Sequence, residues 1–152
     1  MAPEKIEPKG MADYLSVMTK SVFQSGISWK VVESKWPGIV EALRGFDVEA
    51  VAGLTEADLD ALTADKRVIR NRRKLEAIVY NAGKMLELSD KHGGFREYLR
   101  SQGDFEATVK DLRKQFKFLG DTGTYHFLHM TGEEVPAYED WRASRGVKPI
   151  SH

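Results

Sequence analysis

Apolar residues recur at helical spacing almost from the start of the chain. Met11, Tyr14, Leu15, Met18, Val22 and Phe23 mark one face of a helix that begins after Gly10 and ends at Gly26. Ser28 is placed to cap the next helix, which carries Trp29, Val31 and Val32 until Trp36-Pro37 interrupts it, because proline lacks the amide a helix interior needs. A short helix over 38–44 closes on Gly45, and a further turn over 48–51 breaks at Gly53. Thr55-Glu56-Ala57-Asp58 forms an N-cap for the helix of Leu59 and Leu62, with its acids in the first turn, where the dipole favours negative charge. The longest periodic segment runs from about Val68 to Leu88, with Leu75, Ile78, Val79, Ala82, Met85 and Leu86 as its inward stripe, and is the expected central helix.

Gly93-Gly94 is a break, Phe95 to Leu99 a short helix, and Gly103-Asp104 a turn capping a helix from Phe105 to Gln115. A polar tail with Pro136, Trp141 and Pro149 ends the chain. No segment sustains period-two alternation with β-branched residues, so the pattern predicts an all-α fold of many short helices, one domain over 1–152 with no repeat or linker.

Between the last two apolar helices stands Phe116-Lys117-Phe118-Leu119-Gly120-Asp121-Thr122-Gly123-Thr124-Tyr125, a short turn closing on Gly120 before helix resumes through Phe127, Leu128 and Met130. Glycine supplies backbone freedom at a tight turn, and a helix start aims unpaired N–H groups outward, where phosphate oxygens can accept them. Taken alone, the same pattern also describes an ordinary corner between two packed helices.

Composition narrows the function classes. The 152 residues carry 23 Lys plus Arg against 23 Asp plus Glu, so a polyanion partner would have to meet a local basic face rather than a global field. The absence of cysteine excludes disulfides, thiolate metal sites and a cysteine nucleophile. No apolar run approaches a membrane span and the first residues lack a signal-peptide core, so a cytoplasmic location is expected.

Two further stretches carry candidate chemistry. In Phe23-Gln24-Ser25-Gly26-Ile27-Ser28-Trp29 a helix-ending glycine sits between an amide and a large aromatic; Gln24 can hydrogen-bond a base edge and Trp29 can stack on one, or Trp29 can be core. Arg67-Val68-Ile69-Arg70-Asn71-Arg72-Arg73-Lys74 is the one strongly basic cluster, set at a helix N-terminus against the preference of the dipole. It reads either as a phosphate-binding edge or as a solvated face paired with Asp60 or Asp65.

Taken in order, the Phe23 to Trp29 block, Phe46-Asp47 with Val51-Ala52, Val68 to Leu75 with Asn81-Ala82, and Phe116 to Gly120 with Thr122 and Tyr125 resemble the DNA-3-methyladenine glycosylase I family over roughly residues 14–132. The resemblance implies a multi-helix glycosylase fold with a helix-hairpin-helix motif. In such a fold the hairpin grips phosphates, a damaged base is flipped from the duplex, and an aromatic pocket receives it. By position it implies Trp29, Gln24 and Ser21 as base-pocket residues, and Gly26, Ile27, Arg70, Arg72, Arg73, Lys74, Lys117, Gly120 and Thr122 as DNA contacts. The expected partner is double-stranded DNA with a damaged base, met by a monomer that needs no cofactor.

The chain departs from the family pattern in three places. Ser21 stands where the family has a base-recognising Glu, the family's aromatic N-terminal segment is shortened to Tyr14, and its zinc-binding cysteines are missing, so no metal is expected. His126 and His129, three apart, make a poor metal pair. Asp140, twenty positions after Gly120, resembles in spacing the catalytic Asp of the endonuclease III-like branch and is the candidate catalytic carboxylate, with helix capping as its alternative. Hydrolytic excision of an alkylated purine, 3-methyladenine, is thus the leading expectation. The alternatives are a silent lesion-binding relative without the pocket Glu, and a domain that packs against another protein through Trp141.

Overall fold

The stripe that begins at Leu75 builds the axis of the molecule. Helix α5 (Arg72–His92) buries Leu75, Ala77, Ile78, Asn81, Ala82, Met85 and Leu88, and packs against α1 (Met11–Gln24), α3 (Val48–Ala52), α4 (Glu56–Thr63) and α6 (Phe95–Leu99). Around this centre α1 also meets α2 (Trp29–Ala42) and α8 (Asp121–Met130), and α7 (Phe105–Gln115) pairs with α8. A short α9 (Tyr138–Ser144) follows. The computed structural model describes residues 6–144, and every regular element among them is helical. Pro149 lies outside the described residues.

Local chemistry sets most boundaries as the sequence leads one to expect. Thr55 and Asp58 form a complete capping box, Asp104 caps α7 through the Ala107 amide at 2.8 Å, and Gly93 ends α5 in the left-handed region at φ 78°.

Three expectations are corrected. Pro37 does not interrupt α2, which runs through it to Ala42. Pro37 and Glu33 are both exposed, so water can take the carbonyl left unpaired by the missing amide. The helix from 38 to 44 is therefore the second half of α2, ending in a 3-10 turn at Arg44–Phe46. The central helix starts at Arg72 rather than near Val68, because the Asn71 side chain accepts the Lys74 amide at 3.2 Å from a non-helical backbone. The polar tail folds: Trp141 is only 3% exposed, and its ring stacks on Tyr125 at 4.8 Å and meets Phe105 edge-on at 6.3 Å.

Candidate nucleic-acid interface

The end of α1 and the start of α2 form one corner, built by a buried lysine. Lys74, 4% exposed, sends its ammonium from α5 to the carbonyl oxygens of Phe23, at 3.1 Å, and Ser25. These are among the carbonyls a helix leaves unpaired at its C-terminus, where a cation also complements the dipole. Gly26 then turns the chain at φ 83°, and Ser28 caps α2 by accepting the Val31 amide at 3.3 Å. Gln24, Ile27 and Trp29 emerge half-buried at this corner, with Gly26 exposed. Ser21, also half-buried, faces α8: a Cβ on Gly123 would stand 3.8 Å from that of Ser21. The structure thus brings Ser21 of α1 beside the second helix of the α7–α8 pair, with Gln24 one turn further along α1.

Residues 116–120 join that pair, and the strain in the turn is not where glycine suggests it. Gly120 has φ −86°, accessible to any residue, whereas Phe118 adopts φ 60° and exposes 38% of its surface. What holds the turn is Asn81, whose amide donates to the Lys117 carbonyl at 3.1 Å and accepts the Lys117 amide at 2.8 Å. Gly120 starts α8 without a side-chain cap, and its carbonyl accepts both the amide and the hydroxyl of Thr124, at 2.9 and 2.7 Å. The first amides of α8, including that of exposed Thr122, have no partner within the helix by construction. Beside the turn, the Lys117 ammonium lies 4.4 Å from the ring centre of Tyr80, itself 42% exposed.

The basic cluster divides. Arg72 reaches Glu56 and Asp60 at 2.5 Å and Glu76 at 3.8 Å, and the Asp60 hydrogen bond holds its guanidinium above the usual range. Arg67 pairs with Asp65 at 2.7 Å and Glu41 at 2.9 Å. Arg70 and Arg73 are exposed and make no ion pair among the described residues. Two of the four predicted contacts here therefore face solvent, one is committed to acids, and Lys74 is committed to carbonyls.

Asp140 is not brought to the corner. Gly123 and Tyr125 are two residues apart on α8, so they point about 200° apart around it. Ser21 sits by Gly123, while α9 docks through Trp141 on Tyr125, with Asp140 exposed in its first turn. The histidines join this second side: His126 stacks on Tyr138 at 5.4 Å and His129 on Tyr125 at 6.4 Å, and burial, then His129, lowers the pKa of His126. An open groove of about 1040 Å³, lined among others by Phe105, Leu128, His129, Glu133 and Pro136, also lies there and includes no predicted pocket residue.

Four residues at this candidate interface escape the sequence pattern: Lys20, whose ammonium lies 4.8 Å from the ring centre of Trp36, Tyr80, Asn81 as a clamp, and Phe118 as the strained position. Tyr80 and Phe118 carry a readable signal, an aromatic outside the apolar stripe. The Asn81 pairing spans 36 positions and carries none.

The 3-methyladenine DNA glycosylase I of Staphylococcus aureus superposes with a TM-score of 0.74 at 26% identity, over 85% of this chain and 80% of that one. A variant of 3-methyladenine DNA glycosylase I solved in complex with 3-methyladenine gives the same TM-score and identity, over 85% and 81%. The DNA-3-methyladenine glycosylase of Haemophilus influenzae is 29% identical over 130 residues, 72% of this chain and 70% of that protein, and DNA-3-methyladenine glycosylase 1 of Escherichia coli is 28% identical over the same spans. The methyladenine glycosylase family model matches residues 11–114, more than half of the chain, and the chain belongs to that family.

Proposed function

We propose that this chain is a base-excision repair glycosylase that flips an alkylated purine, 3-methyladenine, from double-stranded DNA and hydrolyses its N-glycosidic bond. The family membership carries this reading, and the fold shared with enzymes of that name supports it. A flipped base would stack on Trp29, with Gln24 offering hydrogen bonds and Ser21 lining the pocket, while the Gly26-Ile27 turn approaches the gap left in the duplex. Phosphates would be held by the amides at Gly120 to Thr122 and by Lys117, Arg70 and Arg73. Arg72 and Lys74 serve this surface from beneath, one tying α5 to α4 and the other fixing the end of α1.

An N3-methylated adenine is cationic in DNA and leaves as a neutral base, so its departure needs no general acid. Water then takes C1′ as the oxocarbenium charge develops, giving free base and an abasic site. Ser21 in place of a carboxylate removes one source of electrostatic help at that step and favours the second reading, a lesion binder without turnover. We assign the protein to the cytoplasm as a monomer; no helix among the described residues is long and apolar enough to cross a membrane.

Chromatography of methylated duplex DNA after incubation with wild type and Trp29→Ala tests the proposal. Free 3-methyladenine is expected from wild type, with a loss of about 10²-fold in the variant. Tight binding to abasic duplex without base release would establish the second reading.

A further inference from the structure

The turn between α7 and α8 carries aromatic surface that a grip on phosphates leaves unused. Tyr80 stands on α5 outside its apolar stripe and is 42% exposed; Phe118, strained at φ 60°, is 38% exposed. The Tyr80 ring meets no other aromatic ring among the described residues, and its hydroxyl makes no hydrogen bond there. What it meets is positive charge: the Lys117 ammonium lies 4.4 Å from the ring centre and that of Lys84 5.9 Å. Asn81, the next residue on α5, fixes the Lys117 backbone beside the ring. The acids nearby are spent, Glu87 on Lys84 at 3.2 Å, Glu76 on Arg72 at 3.8 Å and Asp121 on Arg113 at 2.8 Å. Lys110, Lys114 and Lys117 are exposed and make no ion pair among the described residues. Exposed Arg73 precedes Tyr80 by two turns of α5, on the same face and about 10 Å along the axis.

Resting on the proposed reading of this turn as a phosphate grip, we propose that Tyr80 is a stacking platform for an unpaired base of single-stranded DNA, with Lys117 at the ring and Arg73 along α5 as partners for its phosphates. A base inside a duplex is covered on both faces by its neighbours, so an exposed ring gains from a base out of the stack and little from one within it. A cationic ligand, the other guest of an aromatic face, is opposed by the two ammoniums already at this ring. Cations without acids of their own suit a polyanion, and the flexible stem of Lys117 lets its ammonium pass from the ring to a phosphate as the base arrives. Phe118, next in the chain to Lys117, adds a second exposed apolar surface at the turn. The protein would thus favour DNA that carries unpaired nucleotides over uninterrupted duplex.

The test uses the full chain and a labelled oligothymidine, with binding followed by fluorescence anisotropy. Wild type is expected to bind it, Tyr80→Ala to bind at least about fivefold more weakly with unchanged circular dichroism, and Tyr80→Phe, which keeps the ring, to bind as wild type does. On the same strand annealed to its complement the loss in Tyr80→Ala is expected to be smaller. Iodouracil placed in the single strand couples under near-ultraviolet light to a ring stacked on it, and peptide mapping is expected to find that bond on Tyr80. No binding by wild type, equal affinity of Tyr80→Ala, an equal loss on strand and duplex, or a cross-link that maps elsewhere overturns the proposal. Affinity for the duplex and release of 3-methyladenine from methylated DNA, measured on the same preparation, decide the proposed function separately: either one without single-strand binding refutes only the platform.

Discussion

Asn81 holds the backbone of Lys117 at both its polar groups, donating to the carbonyl at 3.1 Å and accepting from the amide at 2.8 Å. A buried side chain on the central helix thereby fixes the turn between α7 and α8. Asn81→Ala leaves both Lys117 groups to find water and is expected to cost about 2–3 kcal/mol in urea denaturation. Asn81→Asp keeps the acceptor, loses the donor and sets a carboxylate against a carbonyl, so it destabilises as well. In both variants affinity for duplex DNA falls along with stability.

Phe118 stores strain in that turn. Its left-handed backbone costs about 1–2 kcal/mol for an L-residue, while a glycine there gives back about 0.5–1 kcal/mol through its freer unfolded chain. Phe118→Gly is therefore expected to raise stability by about 0.5–1 kcal/mol. Its exposed ring, lost in the variant, is expected to contribute to DNA binding. A gain in melting temperature with weaker binding is the predicted pair of results; unchanged binding would show that the ring does not touch DNA.

The sequence carries the helical class and most element ends, because periodicity, the Thr55 capping box and the Asp104 cap are local. What it hides is non-local. Lys74 reads as one more cation in a basic run, and only the packing of α5 against α1 shows that its charge is consumed by Phe23 and Ser25. Asp140 fits a spacing, yet spacing cannot tell which face of α8 receives α9. Gly120 attracts attention by type, although the strained position is Phe118. Pro37 breaks a pattern on paper and is tolerated on an exposed face of α2.

The division of the basic cluster predicts distinct salt dependences. Arg70→Ala and Arg73→Ala are each expected to reduce the slope of log affinity against log salt by about 0.9 per lost phosphate contact. Arg72→Ala changes that slope little, since its charge is met by Glu56 and Asp60, and lowers stability only slightly, because both acids are exposed. Equal slopes for all three would contradict the division.

Lys20 and Lys74 give opposite results on replacement by Met. Lys74→Met strands the Phe23 and Ser25 carbonyls and is expected to destabilise by about 1.5–3 kcal/mol. Lys20→Met removes a cation held partly off water and raises the melting temperature at neutral pH. The folded pKa of Lys20 lies below its unfolded value, so between the two the unfolded chain binds more protons and wild-type stability rises with pH. The advantage of Lys20→Met therefore shrinks as pH climbs through that window toward 10.5, which melting curves of both proteins can follow.

Excision in the absence of a carboxylate at position 21 is tested most directly by single-turnover release of 3-methyladenine from methylated duplex DNA with protein in excess. The expected outcome is release at least about 10³-fold faster than spontaneous loss in buffer. Release at the spontaneous rate, by a protein that binds the same DNA, would contradict it.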